Sequence, residues 1–175
     1  ILGRIYEQFR GEQITVDADR NVTVELKPEY RKGGGVYYTP EYIVRYIVEQ
    51  TVGRQIAGKT PDQIEKMSFA DIACGSGSFL LGVFDCLLRY HTKWFNEHPD
   101  KAALPKPVKI TKKGLPHKQR REVAGDCYQD PDTGSLRLTL EKKRQMLLNN
   151  VFGTDLDAQA VEVAQLSLYL KLLED

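Results

Sequence analysis

Cysteine is scarce: Cys74, Cys86 and Cys127 are the only three in 175 residues, and no two form a CxxC pair. That excludes a disulfide framework or a cysteine-rich zinc site and leads us to expect reduced thiols in a cytoplasmic protein. Charge of one sign is lacking too. With 25 basic against 24 acidic side chains the net charge is +1, so any affinity for nucleic acid must be local. No apolar run is long enough to cross a bilayer and no signal peptide is visible, so no membrane role is expected. There is no internal repeat, and nothing fixes an oligomeric state. Methionine is missing at position 1, and the chain closes on the helical pattern SLYLKLLED without a cap. Both features lead us to expect a fragment.

What is present suffices for one sizeable core, since 41% of residues are hydrophobic. ILGRIYEQFRG predicts a short helix with Ile1, Ile5, Tyr6 and Phe9 on one face. QITVDADRNVTVELK predicts a hairpin, two β-rich runs around a polar turn. A helix is then expected with Thr39 as N-cap, Pro40 in the first helical position, and Ile43, Val44, Ile47 and Val48 at helical spacing. MSFADIA predicts a strand. Phe79, Leu80, Val83, Phe84, Leu87, Leu88, His91, Trp94 and Phe95 predict one long apolar stripe on the following helix.

From about 96 to 138 periodicity fails, and prolines at 99, 105, 107, 116 and 131 punctuate a polar stretch. This predicts a long insertion with at most a short strand near SLRLTL. Within it, Lys101 to Arg121 carries eight basic residues and no acidic one. Such a run is either a solvated loop or a contact for DNA phosphates. EKKRQMLLNN (helix), VFGTDLD (strand) and AQAVEVAQLSLYLKLLE (helix) follow. Strands alternating with amphipathic helices predict an α/β fold, a partial parallel sheet with flanking helices.

DIACGSGSFLLG, residues 71 to 82, joins the expected strand to the apolar helix. Such a loop either holds a nucleotide or is only a tight turn. Dinucleotide sites place a third glycine three residues after the second, where this chain has Leu80, and no Gly-Lys-Ser/Thr follows as in a phosphate loop. S-adenosylmethionine carries no phosphate and needs an acidic residue at the next strand end for its ribose hydroxyls. Asp155 in VFGTDLD stands at such a place.

Three stretches taken together, KGGGVYYTPEYIVRYIV, DIACGSGSFLLGVFD and NNVFGTDLDAQAVEVAQLSLYL, resemble in this order three motifs of adenine-specific DNA methyltransferases from restriction–modification systems. The first is similar to the family's Tyr-Thr-Pro segment and the second to its Asp-Pro-Ala-Cys-Gly-Ser-Gly-x-Phe-Leu loop. The third resembles its ribose-binding strand end. ILGRIYEQF is similar to the segment preceding the core in large fused restriction–methylation enzymes. The likeness covers about half of the chain, and Ile72 departs from the family's usual proline.

The resemblance implies a Rossmann-like class I methyltransferase fold with S-adenosyl-L-methionine as cofactor and DNA as partner. Residues 1–36 would form an N-terminal helix and hairpin arm, and residues 37–175 the front half of the methyltransferase domain. It implies that Tyr38, Thr39 and Pro40 lie at the methionine end, and that Asp71 with Ala73, Cys74, Gly75, Ser76 and Gly77 cradles the cofactor. Asp155 would take the ribose hydroxyls and Leu156 would lie against the adenine.

Each assignment has a plainer competitor. Thr39 also suits an N-cap, Cys74 a small buried hydrophobe and Asp157 the N-cap of the last helix. Tyr37, Tyr38, Tyr42 and Tyr46 suit packing, and His91 the edge of the core. The family's Asn/Asp-Pro-Pro-Tyr/Phe segment, which accepts the adenine amino hydrogens and stacks on the flipped base, occurs nowhere in the chain. No catalytic residue is therefore assigned, and the chain alone is expected to be inactive. Rival readings are a nicotinamide-dependent oxidoreductase half-domain, a non-catalytic DNA- or protein-contact module of a restriction complex, and methylation of another amino group.

Overall fold

The computed structural model describes residues 12–26, 39–104 and 125–174. The expected helix at residues 1–11, Tyr38 and most of the Lys101–Arg121 run lie outside the described residues.

The hairpin forms as expected. Strands β1 (Glu12–Val16) and β2 (Val22–Leu26) pair antiparallel, with Ile14 opposite Val24 and Val16 opposite Val22. Asp17 closes the turn, its carboxylate accepting from the Asn21 backbone and side-chain amides at 2.8 Å each.

Helix α1 (Glu41–Val48) starts one residue later than the sequence suggested. Pro40, not Thr39, is the N-cap; it stays extended (φ −55°, ψ 142°), and its carbonyl accepts from Ile43 and Val44. Thr39 makes no capping hydrogen bond, so Pro40 takes the boundary because its backbone is extended while its carbonyl already accepts helical bonds. The helix continues through a π-type turn (Glu49–Gly53) into Arg54–Ile56, and a short helix α2 (Pro61–Ile64) follows.

Helix α3 (Ser78–Glu97) is the spine of the molecule. Its buried residues Leu80, Val83, Leu87, His91 and Phe95 recur every three or four positions with Phe84 beside them, along the stripe the sequence predicted. Val44, Val48, Val52 and Ile56 join the same core. Gly82 lets α1 approach closely: a Cβ there would stand 2.8 Å from Val44 Cγ1 and 3.3 Å from Val48 Cγ2.

The stretch from 96 to 138 holds more structure than expected. Helix α3 runs to Glu97, and β4 (Cys127–Gln129) pairs antiparallel with β5 (Leu136–Leu138). Only β5, in SLRLTL, was anticipated. Short strands escape a periodicity search, and this pair is fixed by tertiary contacts. Cys127, Leu136 and Leu138 are buried in the core, while Asn96 exchanges two bonds with the Leu136 backbone (2.8 and 2.9 Å), as a neighbouring strand would.

Thr139 then caps helix α4 (Leu140–Asn150), its hydroxyl oxygen accepting from Lys142 N–H. Strand β6 (Val151–Gly153) and helix α5 (Ala158–Leu173) complete the order. Strands β3 (Phe69–Asp71) and β6 pair in parallel, Phe69 opposite Val151 and Asp71 opposite Gly153. Helices packed against a small parallel sheet make the fold α/β.

Two buried polar residues fix this packing. Asn150 donates from Nδ2 to the carbonyls of Ile64 (2.8 Å) and Met67 (2.7 Å), tying the approach to β3 to the start of β6. His91 is fully buried, deeper than its expected place at the core edge, and its Nδ1 donates to the Leu87 carbonyl at 2.9 Å. Burial, helped by the Lys142 ammonium, holds its pKa down at about 4.

Two outcomes follow in urea denaturation. Asn150→Ala, which leaves two carbonyls without their donor, lowers stability by about 2 kcal/mol. Between pH 6.5 and about 4 the unfolded chain takes a proton that folded His91 refuses, so stability falls as pH falls through that window. The loss amounts to about 3 kcal/mol at its acid end, and His91→Leu removes this component of the slope.

Candidate functional site

Parallel pairing delivers the carboxyl ends of β3 and β6 to the same edge. The ladder outlasts the strands: Thr154 N–H donates to the Asp71 carbonyl and Cys74 N–H to the Thr154 carbonyl, both at 3.0 Å. The glycine loop and the VFGTDLD turn are therefore stitched together over about 80 residues of intervening chain.

Within the loop, Ala73 N–H donates to Asp71 Oδ1 (3.1 Å), an Asx turn that sends the chain away from the strand. Gly75 N–H donates to Asp155 Oδ2 at 2.8 Å, and Asp155 Oδ1 accepts from Asp157 N–H at 2.9 Å. Gly77 N–H returns to the Cys74 carbonyl at 2.8 Å. Gly75 and Gly77 have φ of +52° and +88°, backbone that an L side chain rarely adopts. Asp157 caps α5 as the sequence suggested, accepting from Gln159 and Ala160.

Steric fit explains why these residues are small. A Cβ on Gly77 would stand 2.7 Å from Ala164 Cβ, so α5 lies directly on the loop. A Cβ on Gly153 would collide with Leu80 Cδ1 and come within 3.2 Å of Cys74. Leu80 occupies the place of the third glycine in dinucleotide loops, and the room it needs is provided by a glycine on the neighbouring strand. Gly153 and Ala164 were not singled out from sequence. The glycine of VFGTD was the only available signal, because the contact joins elements distant in sequence.

Cys74 is buried, and burial, then the Asp71 and Asp155 carboxylates, push its thiol pKa up. It is a packing residue and no thiolate nucleophile. Ser76 is buried at the base of the loop, whereas Ile72 and Leu156 project from the strand ends almost wholly into solvent. Thr39 and Pro40 are half-buried ahead of α1. No hydrogen bond among the described residues joins either of them to the loop cluster. The structure thus brings Asp71, Ala73, Cys74, Gly75, Gly77 and Asp155 together and leaves Thr39 and Pro40 outside that bonded set.

The chemistry of the arrangement is specific. The amides of Ala73, Cys74, Gly75 and Gly77 are already bonded within the protein, and two carboxylates flank them. A phosphate needs free N–H donors; at those four positions the N–H groups are already bonded, and the flanking carboxylates oppose the positive end of α3. It suits a ligand that brings hydroxyl or cationic donors to carboxylate acceptors.

The N-6 DNA Methylase family matches residues 1–100, a segment holding the hairpin, α1, β3, the glycine loop and α3. The chain belongs to this N-6 DNA methylase family. A type II restriction enzyme and methyltransferase of Escherichia coli, RM.Eco57I, is 33% identical over 178 residues, covering 99% of this chain. RM.MjaORFECS2P of Methanocaldococcus jannaschii, provisionally described in the same words, is 24% identical over 212 residues and covers all of it. The chain spans only 15% and 14% of the length of these two relatives. Both alignments carry the likeness past the family match, through the segment containing Asp155. Among the described residues no group of histidine, cysteine or carboxylate side chains suits a metal ion, and no helix is long and apolar enough to cross a membrane.

In this N-6 DNA methylase chain the loop depends on the close approach of α5. Gly77→Ala lowers stability by about 1–3 kcal/mol, from both strained backbone and overlap with Ala164. Adding Ala164→Gly relieves part of the overlap but costs about 1 kcal/mol of helix propensity in α5, so thermal unfolding leaves the double variant below the parent.

Proposed function

We propose that this chain is the S-adenosylmethionine-binding part of a site-specific DNA methyltransferase acting on the exocyclic amine of adenine. The observation that carries the proposal is the bond from Gly75 N–H to Asp155 Oδ2, which sets the loop's carboxylates around amides already bonded within the protein. Family membership and the names of both relatives support the same reading.

On this reading the fold is a Rossmann-like class I methyltransferase core. Residues 1–36 form an arm, and residues 37–175 form the front of the catalytic domain. The Asp155 carboxylate, held at the strand end by the Gly75 and Asp157 backbone amides, accepts from the ribose hydroxyls. Exposed Leu156 offers an apolar face to the adenine. Asp71 and the Ala73–Gly77 backbone form the floor, and Thr39 and Pro40 approach the methionine end. The cofactor, when bound, supplies an electrophilic methyl group.

The chain's own residues bind and orient that donor. They include no Asn/Asp-Pro-Pro-aromatic segment to hold the target amine, so binding without transfer is the function proposed for this chain alone. DNA is the proposed partner of the longer protein, with the basic run between Lys101 and Arg121 as a candidate phosphate contact. The nicotinamide alternative is disfavoured by the same loop, because bonded amides and two carboxylates oppose a pyrophosphate.

Calorimetry tests this directly. S-adenosylmethionine is expected to bind the chain, Asp155→Ala to weaken it at least tenfold, and a nicotinamide dinucleotide to give no heat. Equal binding by parent and Asp155→Ala, or dinucleotide binding at comparable affinity, would overturn the proposal. With radiolabelled cofactor and duplex DNA, no methylated adenine is expected from this chain alone.

A further inference from the structure

Away from the glycine loop, four elements meet around a cleft of about 470 Å³. Helix α3 forms one wall from Asp85 to Asn96, a span of about 16 Å at the helical rise. The β4–β5 hairpin contributes Tyr128, Arg137 and Leu138, α4 contributes Lys143, and Lys171 and Glu174 close the end. Such a volume lies in the range of sites that take a substantial ligand.

Leu88 and Leu138 give the cleft an apolar floor, and its rim is ionic. Five cations, Arg89, Lys93, Arg137, Lys143 and Lys171, face two carboxylates, Asp85 and Glu174. Both carboxylates are already engaged. Asp85 holds Arg89 at 2.9 Å and Lys171 at 3.3 Å, and Glu174 holds Lys171 at 2.9 Å. Arg137 is paired with Asp130, which is not part of the lining.

The other two cations are held less tightly, Lys143 by a backbone carbonyl and Lys93 by a long, exposed ion pair. Lys143 Nζ rests on the Glu174 backbone carbonyl at 2.6 Å, and exposed Lys93 stands 3.8 Å from Glu97. Ammonium groups over an apolar floor favour an occupant with carboxylates beside hydrocarbon. The length of the cleft along three turns of α3 favours an extended or helical segment over a compact molecule. A DNA backbone would satisfy the ammonium groups and leave half-buried Leu88 uncovered.

We propose that this cleft is a docking site for an acidic, amphipathic polypeptide segment that lays an apolar side chain over Leu88 and Leu138 and carboxylates against Lys93 and Lys143. The site is separate from the cofactor loop and does not depend on how that loop is read.

Fluorescence anisotropy of the 175-residue chain with a labelled amphipathic peptide of glutamate and leucine tests it. The same peptide with lysine for glutamate, and a labelled DNA duplex, serve as comparisons. The glutamate peptide is expected to bind at least tenfold tighter than the lysine peptide and to weaken with added salt. Lys143→Glu should reduce its affinity at least tenfold and Lys93→Glu several-fold. Lys93 is largely exposed, so reversing its charge leaves folding intact. The proposal is overturned if neither substitution changes peptide affinity by more than twofold, or if the lysine peptide binds equally well. It is also overturned if the substitutions weaken the duplex while sparing the peptide, which would make the rim a DNA contact.

Discussion

The pairing of β3 with β6 is the constraint on which the rest of this structure depends. Each strand is only three residues long, and a parallel pair that short has little stability of its own. It persists because the loops beyond it continue the ladder: Asp71, Cys74 and Thr154 exchange backbone bonds, and Asp155 then receives Gly75. One carboxylate at a strand end thus holds in shape a loop that local sequence alone would leave free.

Packing supports the same junction from below. Helix α3 leaves the loop at Gly77 and carries the apolar stripe through the core, so the loop is anchored to that core. Ala164 and Gly153 admit α5 and Leu80 to within van der Waals contact of the loop. The site is therefore rigid through sterics as well as hydrogen bonds. A preformed loop loses little further order when a ligand arrives, which is a general route to affinity.

The strand-end loop and the cleft along α3 differ in the ligand each suits. At the strand ends, carboxylates and bonded amides favour a ligand with hydroxyl or cationic groups. Along the far side of α3, ammonium groups over leucines favour carboxylates attached to hydrocarbon. A chain with a net charge of only +1 can hold both because its charges are segregated locally.

Much of this was legible in the sequence, since it depends on local patterns. The hairpin, the α3 stripe, the Asp157 cap and the glycine turn each follow from residue spacing or from the backbone freedom of particular residues. The resemblance rested on three motifs that remain readable in order. Tertiary structure alone decided the rest. Strand β4 formed beside the strand anticipated at SLRLTL, and His91 sank to the centre of the core. Gly153 emerged as the partner that makes room for Leu80. These outcomes turn on contacts between residues far apart in the chain, where burial and close packing outweigh local preference.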